Sequence, residues 1–280
     1  MKKKSMLLAA AIVITFSSFA QQDDLMDGAY RKNHMLTKWH MAYPDVREAD
    51  AMWSKSIWRV IDLREKINLP LSYPKTDIRD RKSLMDILWS AIREGTLIPY
   101  ETDEFIVPKS IVAIEKSAGA GIDTIMVPDA NPPYNEHPVP IKRELATENV
   151  IQYRLKEEWF FDKQRSVMEV RIIGIAPIVY ATDDQGNIRE GGETKPLFWI
   201  YFPDVRKLLA QAEVFNRENN AQRRSFDDIF QKRMFNSYIM KESNVYDRRI
   251  SEYSQGIKAQ QESDRIKAMI INFEHDMWEY

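Results

Sequence analysis

The chain has 280 residues, 44% of them hydrophobic and 11% aromatic, which is enough apolar material to fill the core of one large domain or two small ones. Its formal charge of −2 lacks the basic footprint of a nucleic-acid binder. It has no cysteine, which excludes disulfides, cysteine nucleophiles, zinc–thiolate sites and a lipid-modified cysteine, and no glycine-rich phosphate-loop pattern occurs among its nine glycines.

The N-terminus reads as a secretory signal peptide. Lys2, Lys3 and Lys4 form a basic start, and an apolar run from Met6 to Phe19 follows, interrupted by Thr15, Ser17 and Ser18. Ser18-Phe19-Ala20 is a small-x-small cleavage site. A membrane-spanning helix needs about 20 predominantly apolar residues, and this run is shorter. Cleavage before Gln21 would remove three lysines and no acid, leaving 260 residues with a formal charge of −5. The leader predicts export, and a Gram-negative periplasm tolerates a cysteine-free chain of this composition.

Residues 21–44 form an N-terminal arm, polar and aromatic without period, with Trp39, Met41 and Tyr43 alternating before Pro44. Residues 45–280 are expected to form a single domain. Trp53, Ile57, Val60, Leu63 and Ile67 recur at helical spacing, predicting a helix over Glu48–Ile67 that Pro70 and Pro74 end. Within it Trp53 and Trp58 cannot share one stripe. Either one is core and the other an exposed interface residue, or both are partly buried in a broad face. A second helix is predicted over Ser83–Glu94, with Ser83 and Asp86 as a capping pair and Gly95 as the stop.

Short β-branched runs at Phe105–Val107, Ile111–Ile114 and Ile122–Val127 then predict strands. Five prolines between Pro128 and Pro140 predict an extended surface loop at 128–140. The centre reads as an antiparallel meander. Tyr153, Leu155, Glu157, Trp159 and Phe161 fall on one strand face, and Gln152, Arg154, Lys156 and Glu158 on the other. Val167–Val179, bent or ended near Pro177, and Leu197–Phe202 supply two more strands, with a turn at Asp183–Asn187 between them. Helices follow around Val205–Ala212, behind a Ser225/Asp228 cap, and over Glu262–Trp278. The predicted class is α+β, a central antiparallel β-meander with helices segregated before and after it.

No constellation for catalysis assembles. His34, His40, His137 and His275 are scattered, and Glu274-His275-Asp276 splay around a helix. Glu157 and Glu158 point to opposite strand faces, and no G-x-S-x-G elbow occurs. Asp183 and Asp184 beside Gly186 lack the remainder of a calcium loop. The basic clusters Lys163/Arg165 and Arg223/Arg224 have acids nearby and read as a solvated turn and a pre-helix loop. No catalytic residue, metal ligand or cofactor site is assigned. A carboxylate pair of an exported hydrolase or carbohydrate-acting enzyme stands as the alternative, since 42 acids always leave some pair close.

Whole segments nonetheless look familiar. Trp58-Arg59-Val60-Ile61-Asp62-Leu63-Arg64-Glu65-Lys66-Ile67-Asn68 is one. Glu158-Trp159-Phe160-Phe161-Asp162-Lys163-Gln164-Arg165-Ser166, continuing through Arg171 to Pro177, is another. So are Ser225 to Phe230, Tyr238 to Tyr246, and Asn272 to Tyr280. Together they resemble the GldN/PorN family of gliding-motility and type IX secretion proteins of Bacteroidetes. The resemblance implies a non-enzymatic structural subunit. It implies a ring, formed by self-association, with a GldK/PorK-like lipoprotein at the inner face of the outer membrane. It also implies contact with the periplasmic part of a GldM/PorM-like inner-membrane motor protein. Partner contacts are expected in the irregular aromatic elements, at Trp39 and Tyr43 in the arm and Tyr134 in the proline loop, unless those rings pack back onto their own domain.

Overall fold

A twelve-residue strand, not a helix, opens the domain. β1 (Ala51–Asp62) alternates Trp53, Lys55, Ile57, Arg59 and Ile61 on one face with Trp58, Val60 and Asp62 on the other. The helical spacing of its apolar residues is a coincidence of a segment buried on both faces, since every residue from Ile57 to Asp62 is buried. Its tryptophans and β-branched residues suit the pleat, and Arg47, before the 3-10 turn Glu48–Asp50, makes no side-chain cap. Trp53 and Trp58 therefore lie on opposite faces of a sheet.

The computed structural model describes Met35, residues 37–76, Ile78, and residues 81–128, 136–143, 145–181, 192–219 and 221–277, with the backbone alone over 121–143. The chain divides into two units, Met1–Lys38 and Trp39–Tyr280. Of the first, the described part is a turn in which Lys38 N donates to Met35 O at 3.2 Å. All that follows concerns the second.

After β1 come α1 (Leu84–Arg93), α2 (Ile111–Ser117) and the hairpin β2 (Gly121–Pro128) with β3 (Glu136–Arg143). The meander β4 (Gln152–Asp162), β5 (Val167–Tyr180) and β6 (Thr194–Pro196) follows, then β7 (Ile200–Tyr201) and α3 (Phe202–Gln211). A small pair, β8 (Glu213–Val214) with β9 (Arg224–Ser225), leads to α4 (Phe226–Gln231). β10 (Tyr238–Glu242), α5 (Ile250–Tyr253) and α6 (Ile257–Asp276) close the chain. The class is α+β. The main sheet is antiparallel in the order β10-β1-β4-β5-β6, with β7 added on β5. β1 precedes all the described α-helices, and β10 returns to the sheet between α4 and α5.

Beyond β1, further expected elements differ, and of the expected strand Leu197–Phe202 only Ile200–Tyr201 is strand while Phe202 opens α3. Ile111–Ile114 is the first turn of α2, because Ser110 Oγ accepts from Ala113 N (3.3 Å) and caps it, which outweighs the β-branched run. Phe105–Val107 is irregular, turned by Phe105 at φ 58°. Residues 136–140 of the expected proline loop belong to β3, paired with Thr124–Pro128. A two-stranded hairpin accepts prolines where the missing N–H faces away from the ladder. Tyr134 and the turn at Asp183–Asn187 lie outside the described residues.

α1 and α4 begin where the sequence places them. Ser83 caps α1 through Asp86 N at 3.1 Å, and Gly95 at φ 74° ends it. Ser225 and Asp228 form a reciprocal capping box on α4. One sheet face carries Ile61, Tyr153, Leu155 and Ile175 beneath Leu84 and Leu88 of α1, Val205 and Leu209 of α3, and Phe226 and Phe230 of α4. Further along the same face, Ile57 and Ile239 pack against Ile266 and Ile270 of α6. Each such buried isoleucine contributes about 1.5–3 kcal/mol. The opposite face holds Trp58, Ala176 and Trp199.

Candidate partner surfaces

The segment from Trp39 to Asp45 runs along α3 and β5, held by two arginines. Arg206 is buried, with Nε 3.1 Å from Asp227 Oδ1, and its Nη2 donates to Met41 O at 2.6 Å. Its guanidinium carbon lies 4.1 Å from the ring centroid of Tyr43. Arg171 approaches the same ring at 5.2 Å and donates to Pro44 O. The Tyr43 hydroxyl accepts from Gln231 Nε2 at 2.8 Å. Two cations on one ring, plus a polar anchor, fix Tyr43 to its own domain. Trp39 is 70% exposed and Met41 81%, and Lys207 Nζ lies 5.5 Å from the Trp39 ring centroid. The structure thus separates the two arm aromatics that the sequence grouped.

Beneath this surface the buried carboxylates serve as counter-charges. Glu157 has no exposed surface. Its Oε2 lies 3.1 Å from Arg59 Nε and accepts from Trp159 Nε1 at 3.0 Å, and its Oε1 lies 2.9 Å from Arg233 Nη2. Both guanidiniums also face the Trp159 ring, at 5.7 and 5.4 Å. Burial pushes the Arg59 guanidinium below its ordinary value, and Glu157 opposes that shift. Glu213 is held the same way between Arg81 and Arg223. At the end of β1, Asp62 accepts from Arg64 Nε and Nη2, which brings its carboxyl down to about 2 against the opposing effect of burial. Glu158 is on the other strand face from Glu157, as alternation requires.

The remaining sequence candidates do not converge. His275 is exposed on α6 and His40 is partly buried. His34 and the side chain of His137 lie outside the described residues. Among the described residues no group of three or more His, Asp and Glu side chains is placed to hold a metal ion. Arg165 pairs with Asp162 and Glu169, which makes the Lys163/Arg165 cluster a charge-balanced turn. Among the described residues no helix is long and apolar enough to cross a membrane.

Exposed apolar side chains mark the surface more clearly. Between β10 and α5, Asn244 organises a tight loop. Its Oδ1 accepts from Tyr246 N (3.1 Å) and Arg248 N (3.0 Å), and its Nδ2 donates to Glu242 O and Arg248 O. The loop presents Val245, 99% exposed, and Tyr246, 73% exposed. Sequence reasoning passed over this loop because it has no period. The Asn at a turn followed by an isolated Val-Tyr pair was the available signal.

Compared with known families, the model described as "Gliding motility associated protein GldN" matches residues 46–279. The chain belongs to the GldN family. The match covers every described element of the domain, from β1 through α6. It ties this GldN protein to the gliding-motility machinery, and it includes the Asn244 loop while leaving Trp39 and Tyr43 just outside. Comparison with curated proteins gives no match.

Proposed function

We propose that this GldN-family chain is a non-enzymatic structural subunit of the type IX secretion and gliding machinery. In this reading it is exported to the periplasm and held at the inner face of the outer membrane by a GldK/PorK-like lipoprotein. It builds a ring with that lipoprotein and touches a GldM/PorM-like inner-membrane motor protein. The observation that carries the reading is family membership over 46–279, which already assigns the chain to gliding motility. The leader pattern of Met1–Ala20 supports export. The use of Glu157, Glu213 and Asp227 as counter-charges to arginines gives these buried acids a structural role. Rigidly held, exposed aromatic and aliphatic side chains suit binding to other proteins.

The test is co-expression with the lipoprotein, followed by particle-mass measurement of the purified complex. A large closed assembly that requires both proteins is expected. If the chain stays apart from the lipoprotein at all concentrations, the ring reading is wrong.

A further inference from the structure

The far face of the main sheet, with Trp58 at its centre, holds a buried guanidinium that forms no ion pair among the described residues. Arg154 on β4 is only 8% exposed. Arg59 and Arg206, the other deeply buried arginines, each face a carboxylate. Among the described residues none pairs with Arg154, and its Nε has no hydrogen-bond partner. Among the described residues, Asp103 is the carboxylate that favours its charged form. That acid is already engaged, accepting from Trp58 Nε1 at 2.8 Å and lying 3.3 Å from Lys156 Nζ. Arg249, exposed beyond the loop, brings a second positive charge to the same region. Burial first, and Arg249 next, hold the Arg154 guanidinium down at about 10. A buried, unpaired cation next to another cation is costly, and an anion from outside would relieve both.

The surroundings point to a protein. Across β1, Arg154 lines up through Val60 with Tyr238, which is half exposed. Arg249 follows Arg248, whose guanidinium carbon lies 4.3 Å from the Tyr246 ring, so the cationic patch runs directly into the Asn244 loop with Val245 at its tip. Lys241, beside the loop, sits 4.4 Å from the Trp58 ring and pairs with Asp247, which braces the loop against the sheet. Among the described residues no carboxylate pairs with Arg248 or Arg249. A free phosphate would satisfy Arg154 and Arg249 but would leave Val245 and Tyr246 in water. A peptide with acidic and apolar side chains satisfies both halves of the surface, and the preformed loop lowers the entropy lost on docking.

We propose that the Arg154–Arg249 patch and the Val245–Tyr246 loop together dock an acidic, apolar-flanked segment of a different protein of the assembly. A carboxylate enters between the two arginines, and aliphatic side chains cover Val245 and Tyr246. This rests on the reading of the chain as an assembly subunit. The experiment uses the full chain, with the soluble parts of the lipoprotein and of the motor protein as two separate probes, and measures affinity at low and high salt. Arg249→Glu and Val245→Asp alter exposed side chains and leave the fold intact. Each is expected to weaken binding of one probe about tenfold or more. Arg154→Gln should do the same and remove part of the salt dependence, while Arg154→Lys restores part of the affinity. Thermal midpoints check folding, and inorganic phosphate is titrated as competitor. If the wild-type chain binds neither probe, the subunit reading itself fails. Unchanged affinity of folded Arg249→Glu and Val245→Asp for a probe that the wild type binds overturns the docking site alone. Overturning it equally would be self-association lost in place of partner binding, or phosphate occupying Arg154 without displacing either probe.

Discussion

Glu157 shows how much a single buried residue can organise, and how little of that its own neighbourhood in the sequence reveals. Strand alternation places Glu157 and Glu158 on opposite faces, and the structure agrees. Alternation cannot show that Arg233, 76 positions away, closes over the carboxylate, or that Arg59 reaches it from the neighbouring strand. Removing one member of a buried ionic group leaves the others uncompensated. Glu157→Leu is therefore expected to cost about 3–5 kcal/mol in urea denaturation. Arg59→Met in the same background should recover part of that loss, because the more exposed Arg233 can turn to solvent while Arg59 cannot. Simple additivity of the two substitutions would show that the pair is not coupled and would refute this account.

At the scale of elements, what was legible in the sequence depended on how locally each element is determined. The caps at Ser83 and Ser225 are local hydrogen bonds, and α1 and α4 start where they predict. The meander β4–β5 was legible from alternation and turn residues. β1 was not, because a strand covered on both faces loses its period of two, and its apolar residues then fall by chance at helical spacing. β10 left no trace for a related reason: it is short and depends on β1 for its pairing. Close packing on the far face was equally hidden. Gly174 of β5 lies under Phe105, and a Cβ at that position would stand 2.5 Å from Phe105 Cζ. Phe105 cannot withdraw freely, since it sits at φ 58° with its ring edge-on to Tyr100 and tilted against Tyr201. Gly174→Ala is expected to lower stability by about 1–3 kcal/mol through overpacking. Phe105→Ala added to it should cost less than Phe105→Ala does in the wild type. A Gly174→Ala protein with an unchanged thermal midpoint would show that the loop yields without cost.

For the whole molecule, family membership was legible because strings such as Trp58–Asn68 and Ser225–Phe230 are long and specific, whereas the surfaces that meet partners depend on the fold. The arm illustrates this. Trp39 and Tyr43 look alike in sequence, yet Tyr43 is clamped between Arg206 and Arg171 while Trp39 stands 70% exposed. The two should therefore fail differently. Tyr43→Ala removes a ring between two cations and the acceptor for Gln231, and is expected to cost about 1–3 kcal/mol of stability. Its effect on partner affinity should be limited to what that instability explains. Trp39→Ala removes a ring that is mostly exposed and lies near Lys207, so the thermal midpoint should stay within the error of the wild type. If Trp39 anchors a partner, its truncation should weaken binding to the lipoprotein by about 2 kcal/mol or more. Measuring both quantities on both variants separates an arm that docks its own domain from one that reaches outward. Unchanged lipoprotein affinity for a folded Trp39→Ala protein would remove Trp39 from that interface.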